Sequence, residues 1–200
     1  MKATFFGDYM KKILFLILCV LVVVFIYIIN INDKVIYFEV TDDFIISDKS
    51  VKYLSSNNRL EDYIYYKNTN NYRLIDLFND ILNNREITYK NQKYTINNLF
   101  IKSRYIVLNV GHNDITYMTK SNLEPFNYLD VFVSEYEDIL KSIRDISKEK
   151  IIVVFNYSIN DKYNYYLYNK MRIICNKYDS ILVYKSELYK LIKDFTKCKK

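Results

Sequence analysis

The chain has 200 residues, half of them apolar, which is room for one folded domain of ordinary size and excludes a multidomain assembly. Aromatic residues at 17% beside a charged fraction of 26% supply enough apolar surface to offset chain entropy, so a disordered chain is excluded as well. The net charge of +6 arises from 29 basic and 23 acidic residues mixed along the chain, densest at Lys148 to Lys150 and Lys197 to Lys200, which argues against a nucleic-acid partner.

The first element is an apolar run, Ile13 to Ile29, extended by Ile31 past Asn30. At ~1.5 Å per residue its helix approaches the ~30 Å hydrocarbon core of a bilayer, so residues 13–31 are expected to span a membrane. Lys2, Lys11 and Lys12 lie before the run, and Lys34 beside Asp33, Asp42 and Asp43 after it. The positive-inside rule then places residues 1–12 in the cytoplasm and residues 32–200 outside the cell membrane. A cleaved signal peptide is the rival, but no small-x-small site follows the run. Leu18 before Cys19 also departs from a lipidation site, and Cys19 reads as a buried small hydrophobe.

Beyond the linker, Val35 to Val40 alternates and is rich in β-formers, a strand. Ser47 or Asp48 can cap a helix running toward Lys67, with Val51, Leu54, Leu60, Tyr63 and Ile64 on its apolar side. Leu74, Leu77, Phe78, Ile81 and Leu82 fall at i, i+3, i+4, i+7 and i+8, the best-defined helix of the chain. Thr95 can cap a shorter helix containing Ile96, Leu99 and Phe100. Tyr105 to Val110 and Ile151 to Phe155 are continuously apolar, as buried parallel strands are. Between them Leu129 to Ser147 reads as a long helix; after them come a helix over Lys162 to Lys177, a strand over Ile181 to Tyr184 and a helix over Ser186 to Phe195. This alternation predicts a three-layer α/β/α sandwich with a parallel sheet, whose ligands sit at the carboxyl ends of the strands. The segments to inspect are therefore Thr41 to Asp43, Gly111 to Asp114 and Asn156 to Asn160.

Those strand ends carry a resemblance. The apolar strand Tyr105 to Val110 followed by Gly111, His112, Asn113 and Asp114 resembles the third sequence block of the GDSL/SGNH hydrolases, in particular their membrane-anchored Gram-positive branch. Asn71-Tyr-Arg-Leu-Ile-Asp-Leu77 with Asn79, Asp80 and Ile81 is similar to the second block, and Val35 to Asp43 stands where the family has a strand entering Gly-Asp-Ser. The likeness spans residues 35–155 and implies a flavodoxin-like sandwich and esterase or lipase chemistry.

In that chemistry a serine attacks the acyl carbonyl, and its backbone N–H, a glycine N–H and an asparagine side chain hold the oxyanion. An Asp-x-x-His segment supplies the base. Carried over, the serine position is Asp43, its preceding aspartate Asp42, the first glycine Thr41, the second-block glycine Asn71 and the third-block asparagine Asn113. No Asp-x-x-His occurs: the only histidine is His112, and Lys200 follows soon after the strand that precedes that segment in the family. A carboxylate at Asp43 would repel a developing oxyanion. The resemblance thus implies a degenerate, inactive member, with Asp42, Asp43, Asn71, Arg73, Gly111, His112, Asn113 and Asp114 lining any remaining pocket.

Two glycines and one proline in the whole chain point the same way, since only Gly111 remains for the oxyanion turns. Glycine-rich cofactor loops are excluded on the same ground, and no cofactor is expected. One histidine cannot build a His-based metal cluster, and Cys175 and Cys198 show no zinc spacing. His112 otherwise reads as a hydrogen-bonded residue of a strand-end turn, and Arg73 as the partner of some carboxylate. The expected function is binding of a cell-envelope glycan or acylated polymer without hydrolysis. The alternatives are a divergent esterase pairing His112 with Ser47 or a metal, and a purely structural interaction domain.

Overall fold

A computed structural model describes residues 15–23, 37–41, 63–67, 71–89, 91–121, 123–157 and 159–197. It divides into two units, Met1–Lys34 and Val35–Lys200. In the first, residues 15–23 are helical with exposed side chains, Phe15 at 67% and Val23 at 65% among them. Among the described residues no helix is long and apolar enough to cross a membrane; the remainder of the expected span at 13–31 lies outside them.

The second unit runs β1 (Tyr37–Thr41), β2 (Tyr63–Lys67), α1 (Leu74–Leu82), β3 (Glu86–Tyr89), β4 (Gln92–Thr95), α2 (Ile96–Lys102), β5 (Tyr105–Asn109), α3 (His112–Lys120), α4 (Pro125–Ile146), β6 (Lys150–Phe155), α5 (Asp161–Lys177), β7 (Ser180–Tyr184) and α6 (Lys185–Lys197). Five strands form one parallel sheet in the order β2-β1-β5-β6-β7, and β3 and β4 form a separate antiparallel pair. Because side chains alternate across a strand, the sheet has two apolar faces. Phe38, Val40, Ile106, Leu108, Ile151 and Val153 pack with residues of α1, α2, α4 and α5. Tyr37, Val107, Ile152, Val154 and Val183 face the other way and meet Leu188 of α6. The expected parallel sheet and three layers are therefore present.

Local chemistry explains the elements. Leu74, Leu77 and Ile81 of α1 are buried, each stabilising the fold by about 2 kcal/mol, and Asp76 accepts from the Arg73 N–H at 2.9 Å to close its first turn. Thr95 does cap α2, its hydroxyl accepting from Asn98 N. Pro125 opens α4, where its missing N–H has no intrahelical partner to lose.

Three expectations change. Residues 63–67 form β2, hydrogen-bonded to β1, and not the end of a helix; the Ser47 and Asp48 caps lie outside the described residues. Tyrosines at alternate positions of YIYYK suit a pleated edge strand better than a helix face. The β3–β4 hairpin was not expected, although Asn91 at φ 64° sits in its turn. Residues 112–120 are the helix α3, whose first residues, His112 to Asp114, were expected to form a turn.

Candidate functional site

The strand order reverses between β1 and β5, and in open parallel sheets ligands bind at that reversal, outside the carboxyl ends of the strands. Thr41 ends β1 and Asn109 ends β5; they are register partners, and Asn109 Nδ2 donates to Thr41 Oγ1 at 3.0 Å. Both are buried, so this bond closes the polar groups at the bottom of the crevice. The chain then turns through Gly111 at φ 98°. A Cβ there would stand 2.7 Å from the Phe132 ring and 3.2 Å from the Tyr157 hydroxyl, which itself donates to Val110 O at 2.8 Å. Only glycine fits this turn.

Asp114, fully buried on the first turn of α3, reaches across to the start of α1. Its Oδ1 accepts from Arg73 Nε and its Oδ2 from Leu74 N, both at 3.1 Å. One carboxylate thus caps α1 from 40 residues away and holds the Arg73 charge. The partner left open for Arg73 by the sequence is Asp114. Arg73 Nη2 also donates to Tyr128 OH at 3.4 Å, and its guanidinium lies 4.7 Å from the Tyr117 ring centre.

Burial raises the Asp114 pKa above the usual carboxylate range, against the hydrogen bonds from Arg73 and Leu74 and the Arg73 charge, which pull it down. Desolvation works against the Arg73 charge too, but the Asp114 hydrogen bond and charge outweigh it and the Arg73 pKa is raised. Asn113, beside Asp114, donates through Nδ2 to Tyr72 O at 2.9 Å. Tyr72 continues the chain of contacts: its hydroxyl donates to Asp80 at 2.7 Å, and Asp80 also accepts from Tyr66 at 2.8 Å and Arg85 at 3.0 Å. Burial and then the Asp80 hydrogen bond push Tyr72 ionisation far up, so its hydroxyl remains a donor.

Of the residues expected at the site, Asn71, Arg73, Gly111, His112, Asn113 and Asp114 gather at this junction of β5, α1 and α3. Asp42 and Asp43, like Ser47, lie outside the described residues. Asn71 takes φ 55°, the left-handed conformation that glycine would supply, so replacement of that glycine does not by itself abolish the turn. At the second block, then, the missing glycine does not mean a lost turn, while the first-block turn after Thr41 lies outside the described residues. His112 is the first residue of α3, and its Nδ1 is buried without a hydrogen-bond partner among the described residues, unlike the hydrogen-bonded surface turn residue expected. Tyr128 was not foreseen and is brought in by tertiary packing; Tyr72 lies inside the second-block match and Tyr157 inside the segment Asn156 to Asn160, although neither was singled out as a site residue.

Among the described residues no group of three or more His, Cys, Asp or Glu side chains is placed to hold a metal ion. The arrangement fixes the junction: a buried carboxylate, an amide and a guanidinium each hold backbone or side chains of a neighbouring element. No family model and no curated protein matches the chain. Among solved structures it is similar to the acetyl xylan esterase AlAXEase, with a TM-score of 0.53 and 14% identity over 77% of this chain and 79% of that one. The second unit therefore has an esterase-like α/β fold.

Proposed function

We propose that this chain is a membrane-anchored SGNH-like protein that binds a component of the cell envelope, a glycan or an acylated polymer, without hydrolysing it. The observation that supports this reading is the engagement of Asn113 and Asp114. The amide that the family turns toward an oxyanion donates here to Tyr72 O, and the neighbouring carboxylate is held by Arg73 and Leu74. An oxyanion hole needs donors already aimed at the developing charge. The apolar run at residues 13–31 supports the anchor, with the N-terminus cytoplasmic and the domain outside. The acetyl xylan esterase among the similar structures supports an acylated glycan as the ligand class. The full chain in lipid nanodiscs, assayed with p-nitrophenyl acetate and butyrate, should release nitrophenol no faster than empty nanodiscs. Turnover abolished by His112→Ala would sink the reading.

One observation favours a second reading, a divergent esterase. His112 Nδ1 is buried and unpartnered among the described residues, and histidine is the side chain most often used as a general base. That enzyme requires His112-dependent turnover of the same esters, so a single assay separates the two.

A further inference from the structure

A groove of about 380 Å³ opens at the carboxyl ends of β6 and β7, beside the crevice described above. Its floor is aromatic: Phe155 ends β6, Tyr184 ends β7 and Tyr157 follows β6. Tyr184 is 43% exposed, whereas Phe155 and Tyr157 are buried. The Tyr184 ring is held flat by Tyr168 of α5, stacked on it at 5.0 Å and 6° between planes, and by the edge contact with Phe155 at 5.7 Å. A ring stacked on one side and still 43% exposed can serve as a platform. The polar wall comes from Asn164 of α5 and Lys185 of α6, and the Asn164 Oδ1 is buried with no hydrogen-bond partner among the described residues. Buried amide oxygens are rarely left this way, and because Asn164 lines the groove a small turn of its side chain would let a hydroxyl seated there supply the missing donor. Tyr157 joins the two regions, because its hydroxyl holds Val110 O at the end of β5.

A ligand for this groove needs a flat apolar face for Tyr184 and hydroxyl donors along one edge for Asn164. A pyranose with equatorial hydroxyls has both, since its axial C–H bonds form the face and its hydroxyls the rim. An aliphatic chain offers no donors, and a phosphate offers no face. We infer that the groove is a pyranose-binding subsite, with Tyr184 as its stacking platform and Asn164 and Lys185 as its polar arms. This rests on the proposed function and names where a glycan is held.

The test is saturation-transfer NMR with cellotetraose, chitotetraose and xylotetraose against the full chain in nanodiscs free of sugar detergents. Transfer to the ring C–H protons of at least one oligosaccharide is expected. Tyr184→Ala should weaken binding about tenfold, the scale of one lost aromatic face, while Tyr184→Phe keeps it within about threefold. Asn164→Ala, on α5, gives a second weakening that does not depend on the packing of β7. The absence of transfer from all three sugars overturns the inference. Binding that Tyr184→Ala and Asn164→Ala leave unchanged overturns it too, and leaves a non-hydrolytic binder standing. Ester turnover with groove binding intact has the opposite meaning: the proposed function falls and the subsite stands.

Discussion

At the end of β5 the buried polar groups other than His112 Nδ1 find partners, whereas beside the ends of β6 and β7 the Asn164 Oδ1 finds none among the described residues. Asp114, Asn113 and Asn109 each hydrogen-bond to a neighbouring element, and the Gly111 turn is filled to the limit by Phe132. The neighbouring groove keeps a partly exposed tyrosine and an Asn164 oxygen unpartnered among the described residues. Satisfied buried networks hold a fold in one arrangement, and an acceptor without a donor is where a ligand gains. In the proposed reading, the sequence motif at the first place marks a structural junction and the second place is the binding surface.

The largest expected effect is at Gly111. Gly111→Ala meets both the unfavourable φ and the Phe132 ring, and should cost about 3 kcal/mol or more in denaturant unfolding. A loss below about 1 kcal/mol would show that the ring moves aside and that the turn is not tightly packed. Asp114→Ala comes next, at about 3 kcal/mol, because it leaves the Leu74 N–H without its cap and Arg73 without its partner; the partial exposure of Arg73, 33%, keeps the cost from being higher. Asp114→Asn should cost less, since an amide oxygen can still accept from Leu74 N.

The same variant tests the electrostatics. The folded Asp114 pKa lies above its unfolded value, so the native state keeps a proton that the unfolded chain has released. This contribution to stability is fully present below the unfolded pKa, near about 4, and is lost as pH rises through the folded pKa. Asp114→Asn should remove that decline from the stability–pH curve; an unchanged curve would assign the dependence elsewhere. Asn113→Ala, which breaks one neutral hydrogen bond to Tyr72 O, should cost about 1 kcal/mol. The smallest effect is at Asn71: Asn71→Gly should stay within about 0.5 kcal/mol, and Asn71→Val should cost about 1–2 kcal/mol because its left-handed φ disfavours a β-branched side chain.

How far the sequence could be read follows from the range of each signal. The α1 stripe, the β5 and β6 runs and the Thr95 cap are written in residues a few positions apart, and the structure has them. β2 was misread because Tyr63 and Ile64 extended a helical pattern, while the pairing that makes them a strand lies on β1. α3 was misread because His112, Asn113 and Asp114 are turn-formers by local preference, and the helix is fixed by Asp114 anchoring in α1. Arg73 and Asp114 were both legible as site residues, but their pairing spans 41 positions and is set by the sheet order. The strand end at Asn156, on one side of the groove, was legible for the same reason as any strand end, but its tyrosine platform was not, since Tyr168 and Tyr184 meet only through α5 and β7.

The central claim is that the motif residues at the end of β5 hold a junction and perform no acyl chemistry. Fluorophosphonate labelling of the full chain in nanodiscs, followed by intact-mass analysis, tests it most directly. The account predicts no covalent adduct above a heat-denatured control; a stoichiometric adduct on a serine, lost in His112→Ala, would contradict it.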